Sequence, residues 1–330
     1  MGGQRARPPD VNRRATAFLL AAVLALPAPA RAAAPGAPPL RALRWAAPDA
    51  DPVKLFATAP AECLVRPPEP AAALSVEVGR AAFRTPVLLG GQAARAGVSC
   101  ESCHLNGRGN PDFLFPGVSG GAGTADVTQS LFSSHRDDGV RDPKPIPDLA
   151  GPRERRKVAP DALPAFLLGL VTKEFDGPEP SPAVLAGLVA YVRALDPAGC
   201  PPGARTAVTA AGFLEDARRA LRAGRALLAQ GDRPSAILML ASARARLGLI
   251  DERFAGAPGV QRRLRAADAR LAALQARVRA GRPDAERAID KWFKDSRSLE
   301  AALAARAPAS LFATSRLAML GKRRLPAGPS

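Results

Sequence analysis

Apolar positions along the chain follow a helical period, not the alternation of a half-buried strand, and they do so in two regions. In the first, Leu74-Ser-Val-Glu-Val-Gly79-Arg-Ala-Ala-Phe83 sets Gly79 and Phe83 one turn apart on one face. Further on, Leu185, Leu188, Tyr191 and Leu195 recur at three- and four-residue spacing, which predicts a second helix from Pro182 to Leu195. In the second region Leu214, Ala217, Leu221, Gly224 and Leu228 repeat, and so do Val260, Leu264, Ala267, Leu271, Leu274 and Val278, with arginines on the other faces. Breaks at Gly231-Asp232, Gly256 to Gly259, Gly281-Arg-Pro283 and Pro308 divide that region into about five helices. The expected class is all-α, with one domain over residues 61–200 and a helical bundle or hairpin array over 201–330.

The beginning of the chain has a different pattern. Arg5, Arg7, Arg13 and Arg14 precede an uncharged apolar run from Ala15 to Leu26, and small residues stand at Ala30 and Ala32. The run is too short to span a bilayer, and the arrangement is that of a secretory signal peptide over residues 1–32. The expected compartment is the periplasm. Residues 33–60 are rich in Pro and Ala and read as a tether.

Charge sharpens the division. Residues 33–200 carry 17 basic and 18 acidic side chains, whereas residues 201–330 carry 25 and 11, a net of +14. Few aromatics interleave those arginines and the chain is expected to be exported, so nucleic acid is not an expected partner. An acidic protein or an anionic membrane surface suits so basic a helical face, although arginines also simply solvate the outside of an Ala-rich bundle. With two histidines, three methionines and four cysteines in 330 residues, metal sites built from several His ligands are excluded.

The chemistry sits in Cys100-Glu-Ser-Cys103-His104, a C-x-x-C-H pentapeptide. Two thiols three positions apart can each add to one vinyl group of a haem, and the next residue's imidazole then serves as an iron ligand. A zinc ribbon would need a second cysteine pair, and a thioredoxin-type site would need a βαβ setting; neither pattern is present. One covalent haem c is expected, held by Cys100, Cys103 and His104.

The flanking helices, with a glycine where they would cross and aromatics beside it, resemble the terminal helix pair of the cytochrome c fold. More closely, Gly79-x3-Phe83, then Ala96-Gly-Val-Ser-Cys100 to His104, then Pro145-Ile-Pro147-Asp-Leu149-Ala-Gly151 resemble one haem domain of the bacterial di-haem cytochrome c peroxidases, over residues 70–198. That family's peroxidases use two haems, and this chain has one C-x-x-C-H. The resemblance therefore implies a haem fold and a redox role with redox partner proteins, more an electron carrier than a peroxidase. A haem-based sensor or scaffold is the third reading. In the basic region Gly224, Leu227, Ala236, Leu240 and Ala243 are similar to the small and packing positions of a tetratricopeptide helix pair.

Two questions stay open in the sequence. The sixth position of the iron has His135 as its candidate within the haem region, with Met239 and Met319 beyond it, and a five-coordinate iron is the other possibility. Cys63 and Cys200 bracket the haem region, and in an oxidising compartment they are expected to pair; chain entropy assigns such a bridge roughly 4 to 5 kcal/mol.

Overall fold

The structure, a computed structural model, describes residues 2, 45–135, 139–152 and 158–322. The signal peptide read over residues 1–32 lies outside the described residues, apart from Gly2. Eleven α-helices and four short strands are described, so the class is all-α. In chain order they are α1 (Pro52–Ala57), β1 (Thr58–Pro60), α2 (Pro70–Phe83), α3 (Gly91–Ala96), α4 (Cys100–Cys103), β2 (Thr124–Ala125), β3 (Lys144–Pro145), α5 (Leu163–Gly169), α6 (Pro182–Ala194), β4 (Arg205–Ala207), α7 (Ala210–Ala229), α8 (Arg233–Arg253), α9 (Pro258–Arg279), α10 (Ala285–Arg306) and α11 (Thr314–Lys322).

Local chemistry starts the principal helices. Glu69 accepts from the Ala72 amide at 2.6 Å ahead of Pro70, and Ser181 accepts from Val184 at 3.2 Å ahead of Pro182. Both pair a side-chain cap with a proline whose missing N–H costs nothing at the first helical position. Asp232 caps α8 in the same way at 3.1 Å, ahead of Pro234, and Thr209 caps α7 without a proline at 3.0 Å.

Helices α2 and α6 cross where Gly79 meets Gly187. A methyl placed on Gly79 would overlap the Gly187 carbonyl oxygen, and one on Gly187 would lie 2.8 Å from the Gly79 nitrogen and 3.0 Å from the Ser75 oxygen. No side chain fits there, so the backbones themselves form the contact. Phe83 and Tyr191 close the crossing with ring centroids 5.1 Å apart. Gly79→Ala gains about 1 kcal/mol of helix propensity but must prise the helices apart. The expected net loss is about 3 kcal/mol, seen as a lower urea midpoint at unchanged m-value.

Beyond residue 200, α7 to α10 pack in succession, and α10 returns against α7 to close a bundle. Met239 of α8 lies over Gly224 of α7, and Leu227, Ala236, Leu240 and Ala243 are buried along the same seam. The helix boundaries fall close to the glycine and proline breaks read from the sequence.

Two expected boundaries differ from what is observed. Part of the segment read as a tether is folded: Phe56 in α1 is 1 % exposed, β1 pairs antiparallel with β4, and the Trp45 and Phe115 ring centroids are 3.9 Å apart. Its Pro/Ala composition concealed two large aromatics that find sites in the core. Nor do residues 61–200 and 201–330 separate into two compact units; α2 packs on both α7 and α8. Cys63 and Cys200 form a disulfide, with Cα atoms 4.9 Å apart.

Candidate functional site

Ser99 and Ser102 form a reciprocal cap at the start of α4, a helix of one turn. That turn puts Cys100 and Cys103 on one face as free, half-buried thiols. Burial pushes both thiols up to about 12, so they stay protonated at neutral pH. His104 ends the helix, its amide bonded to the Cys100 carbonyl at 2.9 Å.

The His104 ring is held from the far side of the chain. Its Nδ1 lies 3.0 Å from the Pro147 carbonyl oxygen, which can only accept; Nδ1 therefore donates and Nε2 keeps its lone pair. Burial also drives this imidazole down to about 4, leaving it neutral at ordinary pH. The Pro147 segment is fixed in turn: Arg108 grips Asp148 through two bonds of 2.7 Å, and Leu149 donates its amide to the Gly107 carbonyl at 3.0 Å. Gly107 has φ of +74° and sits under Leu195, where any side chain would be both strained and obstructed. Phe83 lies 6.3 Å from the His104 ring. Elsewhere on the same core, α5 reads Leu-Pro-Ala-Phe-Leu-Leu-Gly, yet none of its residues is buried and Phe166 is 46 % exposed.

Behind the motif is a buried charge network. Glu101, the residue after Cys100, accepts from Arg84, which caps the C-terminus of α2, at 2.7 Å and from Arg246 of α8 at 2.6 Å. Arg84 continues to Glu62 at 2.8 Å and Asn106 at 2.9 Å, while Arg80 joins Glu62 and Asp216, and the Tyr191 hydroxyl donates to Glu62 at 2.9 Å. Burial alone would raise the Glu62 carboxyl, but the Arg84 and Arg80 guanidinium groups override it and hold the acid far below the usual carboxylate range. Glu101 and Asp216 are lowered through the same balance. Sequence patterning did not single out these residues. Arg80 in an apolar helix and Arg84 at its C-terminal cap, four residues apart, were the one visible hint.

His135 stands on an exposed loop with Nδ1 3.2 Å from the Lys173 carbonyl oxygen and 3.4 Å from an Asp176 carboxylate oxygen. Met239 is fully buried in the bundle core, whereas Met319 is 52 % exposed. Among the described residues no three His, Cys, Asp or Glu side chains gather as a metal site, and no helix is long and apolar enough to cross a membrane. No family model, curated protein or solved structure matches the chain.

Proposed function

We propose that this is an exported, monohaem c-type cytochrome of the periplasm that passes single electrons between redox partner proteins. The observation that carries the reading is the 3.0 Å bond from His104 Nδ1 to the Pro147 carbonyl beside two free thiols on one helical turn. It fixes the tautomer that presents Nε2 as a ligand, and it raises the ligand's basicity, as a carbonyl partner does for metal-bound histidines. Haem c, when bound, supplies a one-electron iron couple.

The residues fit that group. Each thiol would add across one vinyl C=C, sulfur bonding to one carbon and the thiol proton passing to the other, with no net oxidation. The network behind Glu101 holds the motif rigid against α2 and α8, and the exposed arginines of α9, such as Arg262, Arg263 and Arg265, favour acidic partners through steering. The cytochrome c-like fold and the resemblance to one domain of the di-haem peroxidases belong to this proposal.

A spectroelectrochemical titration of the exported protein tests it. The expected result is one reversible couple with a one-electron slope and no peroxide turnover; rapid peroxide-dependent oxidation of a donor would favour the peroxidase-like enzyme instead. His135 is the proposed sixth ligand, because Nδ1 again faces a carbonyl and leaves Nε2 to bind. His135→Ala is expected to turn a low-spin spectrum high-spin and to raise the potential, since a donor favouring ferric iron is lost. An unchanged spectrum would remove His135 from the iron.

A further inference from the structure

A cleft of about 690 Å³ opens between the back of α4 and the bundle. Three of its arginines, Arg80, Arg84 and Arg246, are matched by Glu62, Glu101 and Asp216. On the rim Asp112 pairs with Lys54 at 4.0 Å and Arg95 is exposed to solvent. Arg253 is the buried charge left over.

Its surroundings are unusual for a cation. Arg253 is 2 % exposed, and its guanidinium carbon lies 4.5, 5.3 and 5.0 Å from the ring centres of Phe56, Phe213 and Phe312. Its Nη1 donates to the Phe56 carbonyl at 2.7 Å, while Nε is buried without a partner. Among the described residues no carboxylate forms an ion pair with it. Burial lowers it to about 10, an effect the nearby Glu252 only partly offsets. A buried charge without a counter-ion is costly, and stacking on aromatic faces recovers a small part of that cost.

The N-terminal end of α7 lines the same cleft through Thr209 and Gly212, adding the positive end of a helix dipole. The remaining wall includes Leu55, Phe213 and Leu249. We infer that this cleft binds a small organic monocarboxylate, its carboxylate facing Arg253 and the start of α7 and its apolar body against Leu55, Phe213 and Leu249. One buried positive charge, partly offset by Glu252, favours a monoanion over phosphate, and the apolar wall favours a hydrocarbon body over a bare ion. Haem attachment plays no part in this proposal.

Isothermal titration of the exported full chain with benzoate, hexanoate, benzamide and inorganic phosphate tests it. Benzoate or hexanoate is expected to bind at one saturable site, at least about tenfold more tightly than neutral benzamide or phosphate. Arg253→Gln should weaken the carboxylate by about tenfold or more. Because Arg253 also ties α8 to α1, Leu249→Trp provides a second variant: it fills the cleft without touching the charge and should abolish binding while the circular dichroism stays unchanged. Absence of saturable carboxylate binding, equal affinity for benzamide or phosphate, or full binding by a folded Leu249→Trp protein would each overturn the assignment.

Discussion

An exported chain carrying Cys100→Ala together with Cys103→Ala is expected to lose covalent haem entirely. The remaining cysteines, Cys63 and Cys200, are bonded to one another, so no other thiol is free to replace the pair. Both thiols are half-buried on a single helical turn, and trimming them to methyls removes little packing. The scaffold should therefore survive, at a cost on the order of 1 kcal/mol, and the loss will be one of attachment, not of folding. Haem staining after denaturing electrophoresis reads the result directly. Single replacements should leave one thioether and a weaker stain, and a double variant that still stains would take the two cysteines out of the attachment chemistry.

The next largest effect is expected from Arg84→Met. Arg84 is 4 % exposed and donates to Glu62, Glu101 and Asn106, so its removal leaves two buried carboxylates with one fewer cation between them. Breaking a buried ion pair from one side costs about 3 to 5 kcal/mol. Adding Glu101→Gln to the same chain should recover part of that loss, because the uncompensated charge goes with it, and the double-mutant cycle measures the coupling. The pH dependence follows from the depressed acids. Glu62, Glu101 and Asp216 bind protons less readily folded than unfolded, so their contribution is present above the unfolded carboxylate range near pH 4 and is lost as pH falls through the folded values. Urea midpoints of the wild type should fall steeply only in that acid range, whereas Arg84→Met, whose acids are less depressed, should start from a lower midpoint at neutral pH and fall less on acidification. Parallel acid profiles in the two proteins would contradict the network's role.

How far the sequence was readable depends on the physics that each feature obeys. Helices α2, α6, α7 and α9 announce themselves through a local period, glycine and proline breaks delimit α8 and α10, and Gly79 marked a close crossing because only one residue type permits it. The folded stretch around Trp45 and Phe56 escaped, since two aromatics in a Pro/Ala background have no period, and their sites are built by Phe115 and Arg253, far away in sequence. The candidate site divides in the same way. Cys100, Cys103 and His104 are contiguous and legible. Pro147 was visible only as part of a resemblance, and Glu62, Asp216 and Arg246 were not visible at all, because burial of a charge depends on partners far apart in sequence, 145 residues in the case of Arg246 with Glu101.

The central claim, that one haem is bound through this motif, meets its most direct test in the pyridine haemochrome of the purified exported protein, read against its chain concentration. The account predicts one haem per chain, retained through acid-acetone extraction and showing the band positions of a haem whose two vinyl groups have been saturated. A chain exported and folded without haem, or haem that extracts freely into acetone, would contradict it.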